Sequence, residues 1–391
     1  ILGLPDRLFF FLGLALIVLG TGLLKPNVST MVGALYPESG ARRDAGFSIF
    51  YMGINLGAFV GPLVCSYLGE RWNWHWGFSA AGVGMVAGLI QYRLGQRHLG
   101  RAGLLESPGA PEQIARRQRN FVVSLAAFGV LVAGIALLGA FSGLSVTLEQ
   151  VARWLGYAIV ALAILYFGYL FLAGGYDGTQ KKRLVAIFWL FILAAVFWSG
   201  FEQAGSSMNL FARDLTQRRM FGWEMPAGWL QSVNSVFIIV FAPVFGSLWT
   251  WLARRNANPS IPMKFALGLV ALAAGFFVLA WGAANATPSN PASPSWLVVT
   301  YFLHTFGELA LSPVGLSSIT KLAPTDRVGQ MMGVWFVGSA LGNLIAGLVA
   351  GSLERLPPDA LFRSVALIIG GAGVVALLIS PLMNRMTAGV K

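Results

Sequence analysis

Three ionisable side chains interrupt apolar stretches long enough to cross a bilayer: Lys25 in GTGLLKPNVST, Glu202 in FWSGFEQAGSSMNLF and Glu308 in YFLHTFGELALSPVGLSSITK. A charge at mid-bilayer costs about 2.5–3.5 kcal/mol or more unless protein or water surrounds it. Each of the three therefore points to a polar site lined by helices, with a snorkelling lysine or a purely structural ion pair as the plainer alternative. Pro26 follows Lys25 and cannot donate the helical hydrogen bond, which predicts a kink or break there. Broken helices at polar sites recur in transporters. Glu202, Ser206 and Asn209 share one face by their spacing, as do His304, Glu308 and Ser312, and Pro313 invites a second kink. Burial favours a neutral carboxyl group and a nearby lysine an ionised one. A carboxyl group under both pressures is suited to carrying a proton. His304 is either a hydrogen-bonded helper or a polar aromatic in a helix contact.

Two amides add to this set. Asn55 lies in IFYMGINLGAFVGPL and Asn234 in WLQSVNSVFIIVFAP, and each needs partners when buried. They either glue helices or meet a polar solute. Trp198, Phe201 and Trp335 are aromatic residues of a membrane core or the edge of a cavity. Gly53, Gly57 and Gly61 form a small-residue face for close helix packing, and Gly338, Gly342 and Gly347 suggest the same further on. No nucleophile or metal-ligand set accompanies the His304–Glu308 pair, and no phosphate or dinucleotide loop is present. The reading is a non-enzyme without cofactor or metal. Cys65 is a single cysteine in an apolar run, so an internal disulfide is excluded.

The elements that must position these residues are membrane spans. The 391 residues are 56% hydrophobic and only 11% charged, against about 25% charged in an ordinary soluble domain. Residues 8–24, 120–148, 154–176, 184–201, 265–307 and 364–384 hold no Asp, Glu, Lys or Arg. A helix needs about 20 such residues to cross hydrocarbon, and the blocks lack the alternation of a transmembrane barrel. The expected architecture is an all-α polytopic membrane protein. Its spans fall near 8–33, 44–68, 75–93, 121–141, 151–174, 184–211, 226–252, 262–283, 296–320, 329–352 and 361–383, with 121–174 a candidate peripheral hairpin. The net charge of +12 is spread between apolar blocks, which argues against nucleic acid. One set of alternate loops receives 18 basic residues and the other 8, so the richer side, with the C-terminus, is assigned to the cytoplasm. The chain opens on Ile1 inside an apolar block and, by this bias, outside the membrane. An odd number of helices preceding it is the simplest expectation.

Several stretches, in order, resemble the proton-dependent oligopeptide transporter family of the major facilitator superfamily. They are GLLKPNVSTMVGALY (22–36), GFSIFYMGINLGAFVGPLVCSYLGE (46–70), FWSGFEQAGSSMNLFA (197–212), GWLQSVNSVFIIVFAPVF (228–245), GELALSPVGLSSITKLAP (307–324) and MMGVWFVGSALGN (331–343). The second resembles the family signature FYxxINxG. The resemblance implies a major facilitator fold with an inserted helical hairpin, N-terminally incomplete. Residues 1–93 would hold the family's helices four to six, 94–183 a linker and the hairpin, and 184–391 the C-terminal six-helix bundle. The family's ExxER-type cluster on the first helix has no counterpart here, so this chain is not expected to transport by itself, whereas its parent is.

The implied function is proton-coupled import of di- and tripeptides by alternating access in a bacterial inner membrane, with protons, peptides and membrane lipids as partners. By the resemblance Lys25 would hold the peptide carboxylate and communicate with Glu308. Asn55, Asn234 and Glu308 would face the amino end, and Trp198, Ser312 and Trp335 would line the cavity. Glu202 would pair with an early-helix arginine outside this sequence and report protonation, with Glu308 and Lys25 completing the coupling set. The rivals are a same-fold transporter of nitrate or another small organic anion, and a non-transporting receptor or structural subunit.

Overall fold

Uncharged blocks become helices because no other open structure satisfies every backbone group without water. The computed structural model describes residues 7–35, 41–104, 111–141, 148–220, 222–324, 327–351 and 356–387. Its helices are α1 (Arg7–Leu35), α2 (Ala41–Arg71), α3 (Trp74–Leu99), α4 (Pro111–Phe141), α5 (Leu148–Ala173), α6 (Gly178–Phe201), α7 (Ser207–Leu215), α8 (Ser232–Arg254), α9 (Ile261–Ala283), α10 (Ser295–Leu322), α11 (Val328–Ala350) and α12 (Pro358–Met386). A short hairpin, β1 (Arg219–Met220) with β2 (Trp223–Glu224), and a 3-10 turn at Ala227–Gln231 lie between α7 and α8. Among the described residues, eight helical stretches are long and apolar enough to cross a membrane, and Leu12–Leu24 of α1 is a shorter apolar helix. Among the described residues, the spans expected at 75–93 and 121–141 do not join that set. The helix of the first, α3, carries Arg93, Arg97 and His98 on its last turns.

Neither proline breaks its helix, and the break admitted at Pro26 is corrected. α1 continues as a helix through Lys25 and Pro26, and α10 continues through Pro313. A proline removes one hydrogen bond, and neighbouring helices can absorb that loss in a membrane bundle. The span expected to be continuous at 184–211 is the interrupted one. α6 ends at Phe201, a 3-10 turn covers Glu202–Gly205, and Ser206 adopts a non-helical conformation (φ −128°, ψ −99°) before α7. No proline is involved. Glu202, Ser206 and Asn209 consequently do not form one continuous helical face.

Small residues set the closest helix crossings. A Cβ on Gly268 of α9 would stand 2.9 Å from the Gly307 carbonyl oxygen of α10, and a Cβ on Gly307 would stand 2.7 Å from that of Gly268. The two backbones touch because neither residue has a side chain. The Thr300 hydroxyl donates across the same crossing to the Gly275 carbonyl (3.1 Å). α9 also packs along α12, where Gly373 meets Val270. α6 lies on α11, where Gly338 meets Phe191, and a Cβ on Gly342 would stand 2.7 Å from the Ala195 carbonyl. The Gly53–Gly57–Gly61 row of α2 behaves differently. A Cβ at any of the three would meet nothing within 4 Å among the described residues, as at Gly347. Among the described residues that row forms no packed seam.

α2 joins the rest of the chain near its Arg71 end. The Glu70 carboxylate accepts from the backbone N–H groups of Ala227 (2.9 Å) and Gly228 (3.2 Å), and pairs with Arg218 at 3.6 Å. Arg218 also pairs with Glu224 at 2.9 Å. The Trp229 indole donates to the Leu63 carbonyl (2.9 Å) and the Ser232 hydroxyl to that of Phe59 (2.8 Å). Gly228 admits this contact, because a Cβ there would collide with Ser66. α5 rests on α11 and ties to it through the Tyr166 hydroxyl, which donates to Gln330 Oε1 (2.7 Å).

Candidate functional site

The polar residues of α2, α8 and α10 meet where these helices pack together. Glu308 is buried on α10, one turn beyond His304 and directly after the Gly307 crossing. That crossing fixes the height and rotation of the Glu308 backbone against α9. Asn234, in the first turn of α8, donates to the Thr305 hydroxyl (2.9 Å) and approaches Glu308 Oε2 at 3.5 Å. Thr305 itself donates to the Tyr301 carbonyl (2.7 Å). Its one hydroxyl proton is thereby used, and its oxygen is left to accept from Asn234.

From the other side, Asn55 of α2 is buried and donates to the Tyr51 carbonyl (2.9 Å). Its amide lies beside the Tyr51 hydroxyl, which interacts electrostatically with Glu308. The Tyr51 ring packs against a cluster formed by Ile238, Phe245, Leu309 and Ala310. The result is a carboxylate, two amides and two hydroxyl groups drawn from three helices within an apolar chain. It can accept hydrogen bonds from a cation or amine and hold a proton on the carboxylate.

Glu202 stands elsewhere, in the turn between α6 and α7, and is half-buried. It is near enough to Glu308 for their charges to interact. Trp198 lies one turn before it, edge-on to Phe197 (5.7 Å) and Phe201 (5.3 Å). The Trp198 indole N–H and the Ser312 hydroxyl are buried without a hydrogen-bond partner among the described residues. Polar groups in that condition are available to a solute or to water. Trp335 is buried over Gly315 and edge-on to Phe265 (6.0 Å), within the main hydrophobic core. It therefore packs α9, α10 and α11 together. His304 is held against Phe276 (4.7 Å) and Phe201 (6.4 Å) and over Gly275, so its contacts are those of a polar aromatic between helices. The Lys25 side chain lies outside the described residues.

The structure thus brings Asn234 to Glu308, connects Asn55 to them only through Tyr51, and sets Trp198 at the end of α6 and Glu202 in the turn after it. Sequence reasoning misses Tyr51 and Thr305. Tyr51 stands within the FYMGIN stretch, four residues before Asn55, and that position is the signal by which it could be found. Thr305 carries no signal, since a threonine in an apolar helix ordinarily bonds back to its own backbone.

Comparison with known proteins gives a consistent picture. The model of the POT family matches residues 5–360. The peptide transporter YePEPT of Yersinia enterocolitica subsp. palearctica serotype O:3 is 42% identical over 389 residues, covering 96% of this chain and 75% of the relative. A di-/tripeptide transporter of Lactococcus lactis subsp. cremoris is 34% identical over 388 residues, covering 96% and 76%. Among solved structures, the peptide transporter POT in complex with sulfate superposes with a TM-score of 0.88 at 36% identity, covering 98% of this chain and 77% of that one. A mutant of a peptide transporter POT in complex with alafosfalin gives 0.86 at 36% identity, covering 99% and 78%.

Proposed function

This chain belongs to the POT family and has its major facilitator fold, and from that premise we propose that it moves di- and tripeptides across a membrane with protons, by alternating access. The observation that carries the proposal is the Glu308–Asn234–Thr305 group facing Asn55 and Tyr51 across the α2–α8–α10 junction. A peptide's ammonium end needs an anionic acceptor flanked by neutral polar groups, and these residues supply both. Lys25 is assigned to the carboxylate end. Trp198 and Ser312 are assigned to the bound peptide through their unsatisfied N–H and O–H groups, and Trp335 to support of that wall. Glu202, Glu308 and Lys25 are assigned to proton coupling.

Residues 1–93 and 184–391 are the two halves that would rock against each other. Residues 94–183 form the linker and hairpin between them. The protein is multi-pass. We place it in a bacterial inner membrane with its C-terminus in the cytoplasm, following the distribution of basic loops. The Glu70–Arg218 contact then lies on the outer side. A proton entering down the gradient supplies the work, about 2.3 kcal/mol per charge per 100 mV.

The test is uptake of labelled dialanine into proteoliposomes holding the complete parent protein. An inward proton gradient is expected to accelerate uptake, unlabelled tripeptide to compete, and nitrate not to. Uptake indifferent to the gradient sinks the coupling. Competition by nitrate but not by peptide would assign the site to small anions.

A further inference from the structure

The interrupted turn between α6 and α7 is held by a residue that the proposed function does not use. Gln203 is 0% exposed. Its amide nitrogen donates to the Ser199 carbonyl of α6 (3.2 Å) and to the Ala346 carbonyl of α11 (3.1 Å). Its amide oxygen accepts from the Ser207 hydroxyl (2.6 Å) and from the Ser206 hydroxyl (3.4 Å). A primary amide offers two donors and two acceptor lone pairs; the bonds to Ser199, Ala346 and Ser207 are made outright, and the one Ser206 proton is shared at 3.4 Å between the Gln203 amide oxygen and the Glu202 carbonyl. Those bonds reach the end of α6, both residues of the break, and a second helix.

We infer that Gln203 is a positioning residue: it holds the 3-10 turn against α11 and thereby aims the adjacent Glu202 carboxylate. A 3-10 turn inside a long helix is a common site of hinge motion. Without a fixed point the broken turn would let Glu202 rotate with the backbone. The close approach of Gly342 to Ala195 brings α11 near enough for the amide to reach Ala346. No shorter or charged side chain reproduces the set. Asparagine lacks a methylene of reach, glutamate has no donors for the two carbonyls, and leucine makes none of the four bonds.

Among titratable groups, Glu308 of α10 interacts electrostatically with Glu202, and α7, packed against the same turn, carries Arg213 and Asp214 near its far end. α11 carries none over Val328–Ala350, and α6 none after Arg183. A change at Gln203 therefore alters the geometry of Glu202 and introduces no new charge.

The inference rests on the reading that Glu202 takes part in coupling, and the experiment separates the two. Gln203→Leu, Ser207→Ala and Glu202→Gln proteins are reconstituted, and dialanine movement is read in two modes. One is proton-driven uptake across a series of external pH values. The other is peptide-for-peptide counterflow, which requires a folded, cycling protein but no net proton movement. Gln203→Leu is expected to lower proton-driven uptake roughly tenfold, as misplacement of a functional group does. It should also displace the pH of half-maximal uptake and leave counterflow within about twofold of the parent on the same scale. Ser207→Ala removes one of the four bonds and should displace the pH profile in the same direction by less.

Equal losses in both modes with an unmoved pH profile make Gln203 a structural residue only and overturn the inference. Unchanged uptake in both modes overturns it as well. Should Gln203→Leu fail to fold, the pH profile of Ser207→Ala decides alone. If Glu202→Gln keeps full proton-driven uptake, it is the coupling role of Glu202 that fails, whatever Gln203 does.

Discussion

Glu308 and Glu202 are both carboxylates inside apolar spans, and the protein holds them by opposite means. Glu308 rides an uninterrupted helix whose rotation is set by backbone contact at Gly268–Gly307. Its side-chain environment, Asn234 with Thr305 behind it, comes from another helix and from the turn below. Glu202 sits where the helix stops, and its backbone is held by the side chain of its own neighbour, Gln203. One carboxylate is placed by the packing of rigid rods. The other is placed by side-chain hydrogen bonds that tie a broken turn to the helices on either side and to α11. The first arrangement resists motion and suits a group that must stay at the solute. The second can release if its bonds exchange, and suits a group that changes partner during a cycle.

The comparison is tested most severely at the glycines. Gly307→Leu forces side-chain atoms into the Gly268 carbonyl, 2.7 Å from the first added carbon. Its expected cost is about 3 kcal/mol, at the upper end for overpacking. Gly205→Ala in the broken turn meets nothing within 4 Å and should change stability by no more than about 0.5 kcal/mol. Thermal unfolding in detergent, followed by tryptophan fluorescence, distinguishes the two, and equal effects would break the contrast.

The next effect is chemical. Glu308→Gln keeps the shape and a carbonyl oxygen for Asn234 but cannot release a proton. Proton-driven dialanine uptake should fall at least tenfold, about 1.4 kcal/mol, with the unfolding temperature near that of the parent. A variant that still concentrates dialanine against its gradient would remove Glu308 from the coupling set.

The smallest effect sharpens the role of the second helix. Thr305→Val removes the acceptor of the Asn234 amide (2.9 Å), a loss of about 0.5–1.5 kcal/mol. The concentration of dialanine giving half-maximal uptake should rise several-fold while the maximal rate holds. A lowered maximal rate at unchanged half-saturation would mean that Asn234 serves the helix contact rather than the solute.

Much of the fold is legible in the amino-acid sequence. Many of the expected spans correspond closely to helices; the one expected at 262–283, for instance, is α9, Ile261–Ala283. Glu308, Asn234 and Asn55 stand out because buried polarity in an apolar segment has few explanations, and Asn234 does reach Glu308. The breaks are not legible in the same way. Pro26 is the break that local rules favour, yet it lies within a helix, and the interruption stands among Gln203, Gly205, Ser206 and Ser207. Proline is a strong local signal, but a membrane bundle compensates one lost bond. A turn built from a glutamine and two serines forms only when a partner helix accepts the amide. The glycine rows show the same limit. Those of α2 and α11 have similar spacing, but only Gly338 and Gly342 find a neighbour within the described residues.

What residue order dictates unaided is whatever is averaged over many positions or chemically costly: a multi-span helical protein, the family it resembles, and the polar groups that lie in hydrocarbon. Hydropathy sums over some twenty residues, and a buried charge is too expensive to be accidental. Packing in three dimensions settles the rest: which of those groups touch, where a span is cut, and which glycines are seams. Each of these depends on one atom of a distant helix arriving within hydrogen-bond or van der Waals range. The Ala346 carbonyl at Gln203 and the Gly268 carbonyl at Gly307 are such atoms, and no local pattern in α6 or α10 records them.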